Sequence, residues 1–302
     1  MRVSVVIATR DRRASLAATL AALAAVRVPL DVTWQLVVAD NGSTDGTAEL
    51  LASGDLGRTQ LLRVVESRRG KAHALNAALR ISRGDVIAFL DDDVRPDPSW
   101  LEEILRPFRT PGASAVTGAV RIAPALERPW LGPTHRAWLA ETSPGNDGVG
   151  ANLAIRREVL ADVPEFDPEL GPGALGLWED TLFLAQIRAA GREVVCAEGA
   201  AVTHHFDASR LGRPAWLRHA AAQGRSEAYV AWNWEHRADH ASLGRELALH
   251  GRLLTRRLRR RAGCPAPEWE LDLLTGIAFE RQWRRERRRR RAYACRGLVK
   301  LA

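Results

Sequence analysis

The first 120 residues alternate between short apolar runs and longer amphipathic stretches. The apolar runs are rich in β-branched residues and have no polar alternate positions, which is typical of strands buried on both faces. The amphipathic stretches carry apolar residues at helical spacing, as Leu16, Leu20 and Leu23 do. Repeated strand–helix units predict a mostly parallel sheet with helices on both faces. The predicted strands are residues 3–9, 34–39, 61–66, 86–90 and 115–120, and the predicted helices are residues 14–26, 44–51, 71–81 and 98–108.

The pattern changes after residue 120, and the chain reads as helical from residue 214 to its end. Proline and glycine predict loops over residues 122–148. Between these two regions, we predict strands at 152–156, 194–197 and 201–204, and helices at 157–160 and 179–190. The sequence therefore predicts an α/β domain over residues 1–210 and a helical extension over residues 211–302.

Charge is distributed unevenly between the two parts of the chain. Residues 1–244 contain 27 Lys and Arg against 30 Asp and Glu, whereas residues 245–302 contain 17 against 6. The basic end of the chain suggests an anionic surface as its partner. Only Lys71 and Lys300 are lysines, so the alternative is a GC-rich genome that enriches arginine everywhere and leaves it facing water.

Composition excludes several classes of protein. A chain with 46% hydrophobic and 26% charged residues is not disordered as a whole. The three cysteines are far apart and odd in number, which argues against a disulfide framework and favours a reducing compartment. No apolar run reaches 18 residues, and the first one is too short for a signal peptide. We therefore expect a cytoplasmic protein, with peripheral contact to the inner face of the membrane as a role for the basic end.

Acidic residues follow three of the predicted strands. Asp11 follows the first strand, Asp40 the second, and residues 91–93, all Asp, the fourth. The carboxyl ends of strands in an open parallel sheet line the ligand crevice. Three adjacent carboxylates repel one another, and a divalent cation such as Mg²⁺ or Mn²⁺ would relieve that repulsion while bridging to substrate phosphates. The alternative is a solvated acidic turn, because Arg95 and Pro96 follow directly.

An ordered series of motifs resembles the family 2 glycosyltransferases of the GT-A fold. The resemblance covers residues 1–205 and leaves residues 206–302 unassigned. It implies a Rossmann-like, mostly parallel sheet and the transfer of a sugar, with inversion, from a nucleotide diphosphate sugar to an acceptor hydroxyl. A UDP-sugar is the expected donor. The series comprises TRDR at 9–12, VVADNGSTDGT at 37–47, GKAHALNAAL at 70–79, FLDDD at 89–93, GANLAIRR at 150–157, WED at 178–180 and VTHH at 202–205.

The resemblance assigns four residues outside the acidic run to the nucleotide. Thr9 and Asp11 are placed in the nucleotide pocket, and Lys71 is placed within reach of the nucleotide. Asp40 is matched to the acid that binds the base; a carboxylate accepts hydrogen bonds, so it favours a ring N–H such as that of uracil. The alternatives are a turn-forming Asp40 and a surface Lys71.

The resemblance also implies a divalent metal, Mn²⁺ or Mg²⁺. Residues 91–93 match the DXD motif of the family, with Asp91 and Asp92 as nucleotide contacts and Asp93 as the metal ligand. His204 matches a position that sometimes lies near the metal or diphosphate; a structural, hydrogen-bonded histidine is the alternative. Asn152 is placed beside the donor sugar or the acceptor.

Asp180 matches the catalytic base of the family. Adjacent residues on a helix point about 100° apart, so only one of Glu179 and Asp180 faces the donor carbon easily. The resemblance selects Asp180 as the general base and leaves Glu179 as a substrate-site residue. The alternative is that both are acids favoured at a helix start by the helix dipole.

Two other functions and two roles for the basic end remain open. A nucleotidyltransferase of similar fold usually has a glycine-rich loop after the first strand, where this chain has TRDRR. A nucleic-acid-binding protein would leave the strand-end acids unexplained. Residues 245–261 form an amphipathic, arginine-rich pattern that fits either an anionic bilayer or a cap whose leucines cover the first domain. The acceptor is open between a glycan, a lipid-linked sugar and a small molecule.

Overall fold

The computed structural model describes residues 1–53, 60–142, 150–238, 241–258 and 264–301. Strands and helices alternate through the first part, and helices dominate the second. The strands are β1 (Arg2–Thr9), β2 (Thr33–Asp40), β3 (Gln60–Val65), β4 (Val86–Asp91), β5 (Val94–Pro96), β6 (Ala113–Ile122), β7 (Asn152–Arg156) and β8 (Glu193–His204). The helices are α1 (Arg13–Ala24), α2 (Thr47–Ser53), α3 (Lys71–Ile81), α4 (Trp100–Leu105), α5 (Pro133–Trp138), α6 (Glu179–Ala189), α7 (Arg213–Asn233), α8 (Leu243–Leu258) and α9 (Glu268–Glu286).

The strands form one mixed sheet in the order β3-β2-β1-β4-β7-β6-β8-β5. The first four are parallel to one another, and β7 runs antiparallel to both of its neighbours. Because Thr9 pairs with Asp40 and Ala8 pairs with Asp91, the carboxyl ends of β1, β2 and β4 lie level at one edge of the sheet. The expectation that the strand-end acids gather at one edge is confirmed.

The sheet is buried on both faces, as the uninterrupted apolar runs predict. In β1, Val5 and Ile7 belong to one core, with α1 and α4, while Val6 belongs to the other, with α3 and α6. Successive side chains of a strand point to opposite faces, so a strand covered on both sides is apolar at successive positions rather than only at alternate ones.

Several parts of the chain differ from the sequence expectation. The two strands expected at 194–197 and 201–204 are one strand, β8, because the ladder with β6 continues across a register shift at Gly118–Val120. The helix expected at 98–108 is α4 followed by a 3₁₀ helix at Arg106–Arg109, and the one at 157–160 is a 3₁₀ helix at Arg157–Ala161. The segment expected to be all loop contains α5, and its residues 143–148 lie outside the described residues. Residues 287–301 are not helical.

A buried carboxylate joins the end of the chain to the α/β domain. Asp167 accepts hydrogen bonds from the hydroxyls of Tyr229 and Tyr293, both at 2.8 Å, and its other oxygen lies 2.5 Å from Nζ of Lys300. Burial, reinforced by the charge of Asp167, raises the pKa of both tyrosines, so they remain donors. Residues 287–301 therefore leave the helical path of α9 and turn back to reach Asp167. The division predicted between residues 210 and 211 stays a prediction.

The basic helix expected at 245–261 is present as α8, with residues 259–261 outside the described residues. Leu253 is buried, but Leu247, Leu254 and Leu258 are exposed. The alternative in which the leucines of this helix cover the α/β domain is therefore contradicted for Leu247, Leu254 and Leu258. None of the helices within the described residues combines the length and the apolar character needed to span a membrane.

Replacing Asp167 by Ala should lower the free energy of unfolding by about 3 kcal/mol, because two buried hydroxyls and an ammonium lose their shared acceptor. Urea denaturation measures the change. The control is Asp31→Ala, which removes an exposed carboxylate paired with Arg109 and should leave the free energy of unfolding almost unchanged. Equal effects of the two substitutions would contradict a structural role for Asp167.

Candidate functional site

A cleft of about 500 Å³ opens at the sheet edge where β1 and β4 end. The loop before α6, helix α5 and the start of the extension complete its walls. Its polar lining is therefore drawn from segments far apart in the chain. The carboxylates in the lining are Asp91, Asp92, Asp93, Glu179 and Asp180; the basic and aromatic residues are Arg10, Arg12, Arg69, Lys71, Arg210, Trp138, Trp178, His204 and His219.

Arg12 relieves the repulsion between two carboxylates at the end of β4. Its Nη1 lies 2.7 Å from Oδ1 of Asp92 and 2.7 Å from Oδ2 of Asp93, and both acids are buried. Thr9 donates a hydrogen bond of 2.7 Å to the other oxygen of Asp92. Burial raises the pKa of Asp92 even though Arg12 opposes the shift. This arrangement keeps two adjacent acids in the wall of the cleft.

In the neutral form of His204, the ring nitrogen that faces Asp93, Nε2, is a hydrogen-bond acceptor. Its Nδ1 lies 2.7 Å from the carbonyl oxygen of Leu139, and a carbonyl only accepts, so Nδ1 carries the hydrogen. Nε2 then points at Oδ1 of Asp93 across 3.2 Å, and both atoms are buried without a hydrogen-bond partner among the described residues. Two facing acceptors require a proton or a cation between or beside them.

The residues here fit a divalent cation that is shared with a ligand. Within the described parts of the chain, no group of three or more His, Cys, Asp and Glu side chains converges on one point. Asp93 and His204 would therefore supply two ligands, and Mn²⁺ or Mg²⁺ would take the others from phosphate and water. The hydrogen bond from His204 to Leu139 has the form usual for a metal-binding histidine.

A second charge cluster surrounds Lys71 at the start of α3. Its Nζ lies 2.6 Å from Oδ1 of Asp91 and 3.2 Å from Oε1 of Glu179. Burial opposes the charge of Lys71, but Asp91, Glu179 and Asp180 outweigh it and hold its pKa well above the ordinary value. Burial also raises the pKa of Glu179 to about 7, despite the opposing charge of Lys71. The cluster thus contains one carboxyl group that titrates near neutral pH.

Asp180 is held in the cleft by main-chain donors. Its Oδ2 accepts from the backbone N–H of Gly150 at 2.7 Å, and its Oδ1 accepts from that of Thr181 at 2.8 Å. A Cβ atom at position 150 would lie 2.5 Å from Cβ of Asp180, so this approach requires glycine. The carboxylate is fixed in orientation while it still lines the cleft.

The residue before this acidic pair has a strained backbone. Trp178 has φ of 79°, in the left-handed region that a bulky side chain rarely adopts. Its indole N–H donates to Oε1 of Gln223 on α7 at 3.0 Å. Gly173 and Gly176 are needed in the preceding loop because added Cβ atoms would lie 2.9 Å from Gly70 and 2.6 Å from Ala222. The loop is therefore packed between α3 and α7, which sets where α6 begins.

Sequence reasoning missed several residues of the cleft, including Arg12, Arg210, His219 and Trp138. Arg12 stood in the TRDR motif, but nothing in the pattern singled it out from Arg10 and Arg13. Arg210 and His219 belong to the unassigned region, and Trp138 to a segment expected to be loop. In the structure Trp138 stacks on His219 at 4.7 Å, and burial lowers the pKa of His219 to about 3.

Asp11 and Asp40 lie beside the cleft but are not among the described residues that line it. Asp11 accepts from the backbone N–H of Thr44 at 2.7 Å. Asp40 accepts from Arg63 at 2.7 Å and from the backbone N–H of Ser43 at 2.8 Å. Both carboxylates shape the turn at residues 41–44.

Asn152 does not lie where the resemblance placed it, beside the donor sugar or the acceptor. It is fully buried, accepts from Trp100 at 2.9 Å, and donates to the carbonyls of Ala119 and Ala200. Its amide joins strands inside the sheet, because β7 runs through the middle of the core rather than along the cleft.

A family profile described as "Glycosyl transferase family 2" matches residues 4–163, more than half of the chain. The succinoglycan biosynthesis protein ExoM of Rhizobium meliloti is 31% identical over 220 residues, which cover 68% of this chain and 67% of ExoM. The glucosyl-3-phosphoglycerate synthase of Mycolicibacterium paratuberculosis is 32% identical over 171 residues, and the glycosyltransferase AglE of Haloferax volcanii is 30% identical over 151. The chain spans about half the length of these last two proteins.

Solved structures share the fold at lower identity. The mannosyltransferase PcManGT of Pyrobaculum calidifontis, in complex with GDP-Man and Mn²⁺, has a TM-score of 0.63 at 20% identity and covers 94% of this chain and 88% of its own. TarS 1-349 of S. aureus, in complex with UDP, has a TM-score of 0.52 at 15% identity and covers 94% and 92%. The expected fold, GT-A with a helical C-terminal part, is confirmed.

The raised pKa of Glu179 predicts a pH-dependent loss of stability. The pKa of this carboxyl is about 7 in the folded chain and about 4.5 in the unfolded chain, so the folded chain holds the proton more tightly. Its contribution to the free energy of unfolding is therefore fully present below pH 4.5 and is lost as the pH rises through 7. At about 1.4 kcal/mol per pKa unit, the loss amounts to roughly 3 kcal/mol. Compared with the parent chain, Glu179→Gln should lack this loss in denaturation measured between pH 4.5 and 8, whereas the exposed Glu158→Gln should keep it. An unchanged slope in Glu179→Gln would exclude this assignment.

Proposed function

Because the chain belongs to glycosyl transferase family 2, we propose that it transfers a sugar from a nucleotide diphosphate sugar to an acceptor hydroxyl, with inversion at the anomeric carbon. The single observation that supports this most is the meeting of Asp180, the Asp93–His204 pair and a wall of basic residues in one cleft. The two alternatives, nucleotidyl transfer and nucleic-acid binding, draw no support from the comparisons.

The donor binds, on this proposal, with its nucleotide at the ends of β1 and β4. Thr9, Asp91 and Asp92 are the proposed contacts, with Lys71 close to Asp91. Asp40 is the proposed contact of the base and Asp11 a proposed residue of the nucleotide pocket, and both carboxylates also hold the turn at 41–44. We propose a UDP-sugar, and GDP-sugars enter the test because PcManGT was solved with GDP-Man.

The proposed metal ligands are the carboxylate of Asp93 and Nε2 of His204. When bound, Mn²⁺ or Mg²⁺ neutralises charge on the departing diphosphate. Leu139 fixes the ring of His204, and Arg12 holds the other oxygen of Asp93, so both ligand atoms are oriented in advance. Arg210 adds a second positive charge beside Asp93 in the same wall.

Asp180 is the proposed general base. It takes the proton of the acceptor hydroxyl as the new bond forms, and the donors at Gly150 and Thr181 keep its carboxylate aimed into the cleft. Trp138 and Trp178 line the same cleft, and indole faces suit the apolar face of a sugar ring. We propose a hydroxyl on a glycan, a lipid-linked sugar or a small molecule as acceptor, reached by a protein in peripheral contact with the membrane.

Asp180→Asn should retain donor binding and lose about 10²- to 10⁴-fold in turnover, because an amide cannot accept the proton. Turnover is measured as release of nucleoside diphosphate from a panel of UDP- and GDP-sugars, and binding as a shift of the melting temperature. The control is Asp162→Asn, an acid paired with Arg192 away from the cleft. Near-normal turnover of Asp180→Asn would show that another group is the base.

His204→Gln should abolish the extra thermal stabilisation that Mn²⁺ adds to UDP or GDP, because the second protein ligand is lost. The readout is melting temperature, with and without metal, so it does not depend on activity. His205→Gln is the control, since its side chain is exposed and lies outside the cleft lining. If Mn²⁺ still adds thermal stabilisation in His204→Gln, His204 is not a metal ligand. If only an oligonucleotide stabilises the parent chain, nucleic-acid binding is favoured instead.

A further inference from the structure

Helix α8 presents three distinct faces. One face packs on α9: Glu246 is buried there and its Oε1 lies 2.5 Å from Nε of Arg281, with Arg284 at the other oxygen. Leu253 is buried on the same face. At 100° per residue, Glu246 and Leu253 lie about 20° apart around the helix axis, so they share this face.

The second face is a row of exposed leucines. At 100° per residue, its four members lie within an arc of about 60°. Such a row costs free energy in water, and an ordinary soluble surface scatters its exposed leucines singly. These are Leu243, Leu247, Leu254 and Leu258, exposed by 60%, 62%, 64% and 81%.

The third face, opposite the leucines, is basic. Arg245, Arg252 and Arg256 lie within an arc of about 40° and are all exposed. Residues 287–290, all Arg, are also exposed after the end of α9. Leucine on one side and arginine on the other is the arrangement of a helix that lies in the plane of a membrane interface.

We infer that α8 inserts its leucine face into the headgroup region of an anionic bilayer. Charge decides between this surface and a second copy of the chain, because residues 245–302 carry 17 basic against 6 acidic residues and two copies would bring like charges together. Each basic residue near an anionic leaflet strengthens membrane binding by electrostatic attraction. Each leucine side chain that leaves water strengthens it further, by a contribution that does not depend on charge. The inference deepens the peripheral contact in the proposed function, but it does not depend on the transfer reaction.

The test uses the full chain, without donor or acceptor, in flotation with two kinds of vesicle. One contains phosphatidylcholine alone, and the other contains phosphatidylcholine with phosphatidylglycerol. The chain should float with the anionic vesicles, and the double variant Leu247→Ser/Leu254→Ser should partition at least about tenfold less. Because both side chains are exposed, its melting temperature should match that of the parent chain. The control is Leu30→Ser, a fully exposed leucine elsewhere, which should float unchanged.

The charge of the third face is tested by Arg252→Gln/Arg256→Gln. This variant should bind anionic vesicles several-fold more weakly and show a shallower dependence on salt, whereas Arg27→Gln should not. Failure of the parent chain to float with anionic vesicles would overturn the inference, as would equal flotation of the leucine variant. Light scattering that shows an oligomer lost in the leucine variant, with flotation unchanged, would assign the row to contact between copies. Turnover of the same proteins tells a failure of membrane binding from a failure of the proposed transfer reaction.

Discussion

Carboxylates crowd the carboxyl edge of the sheet, and the arrangement of the cleft depends on how their repulsion is relieved. Parallel pairing brings the ends of β1, β2 and β4 level, which forces acids from distant parts of the chain together. Arg12 bridges Asp92 and Asp93, and Lys71 contacts Asp91 and Glu179. These two cations allow buried acids to remain close without leaving the wall of the cleft.

Oδ1 of Asp93 and Nε2 of His204 are the exception to this compensation, although Arg12 holds the other oxygen of Asp93. Both facing atoms are acceptors when the histidine is neutral, and burial removes water as a partner. A buried polar pair of this kind is costly in isolation and favourable with a cation. A proton on Nε2 or a divalent cation would relieve this cost, and the cation is the one that belongs to the proposed reaction; Leu139 and Arg12 orient the pair in either case.

The helical extension is part of the cleft as well as of the core. Helix α7 supplies His219, which stacks on Trp138, and Gln223, which holds the strained Trp178. The final residues return to Asp167 through Tyr293 and Lys300. The helical extension, to which the sequence resemblance assigned no role, thus positions α6, the helix that begins with Glu179 and Asp180. Helix α8 is different, because four of its leucines are exposed in the described fold.

Periodicity and motif order in the sequence alone determined the buried strands, α3 at residues 71–81, the family, and the gathering of acids at one sheet edge. These features depend on the local hydrophobic pattern and on the direction of each strand, and both follow from the order of residues along the chain. Tertiary structure decided the rest. Asn152 lies in the core because β7 runs inside the sheet, and Asp40 and Asp11 hold a turn. The cleft is lined by residues that no pattern singled out: Arg12, Arg210, His219 and Trp138. Which side chains meet across hundreds of residues depends on packing between elements, and no local pattern encodes it.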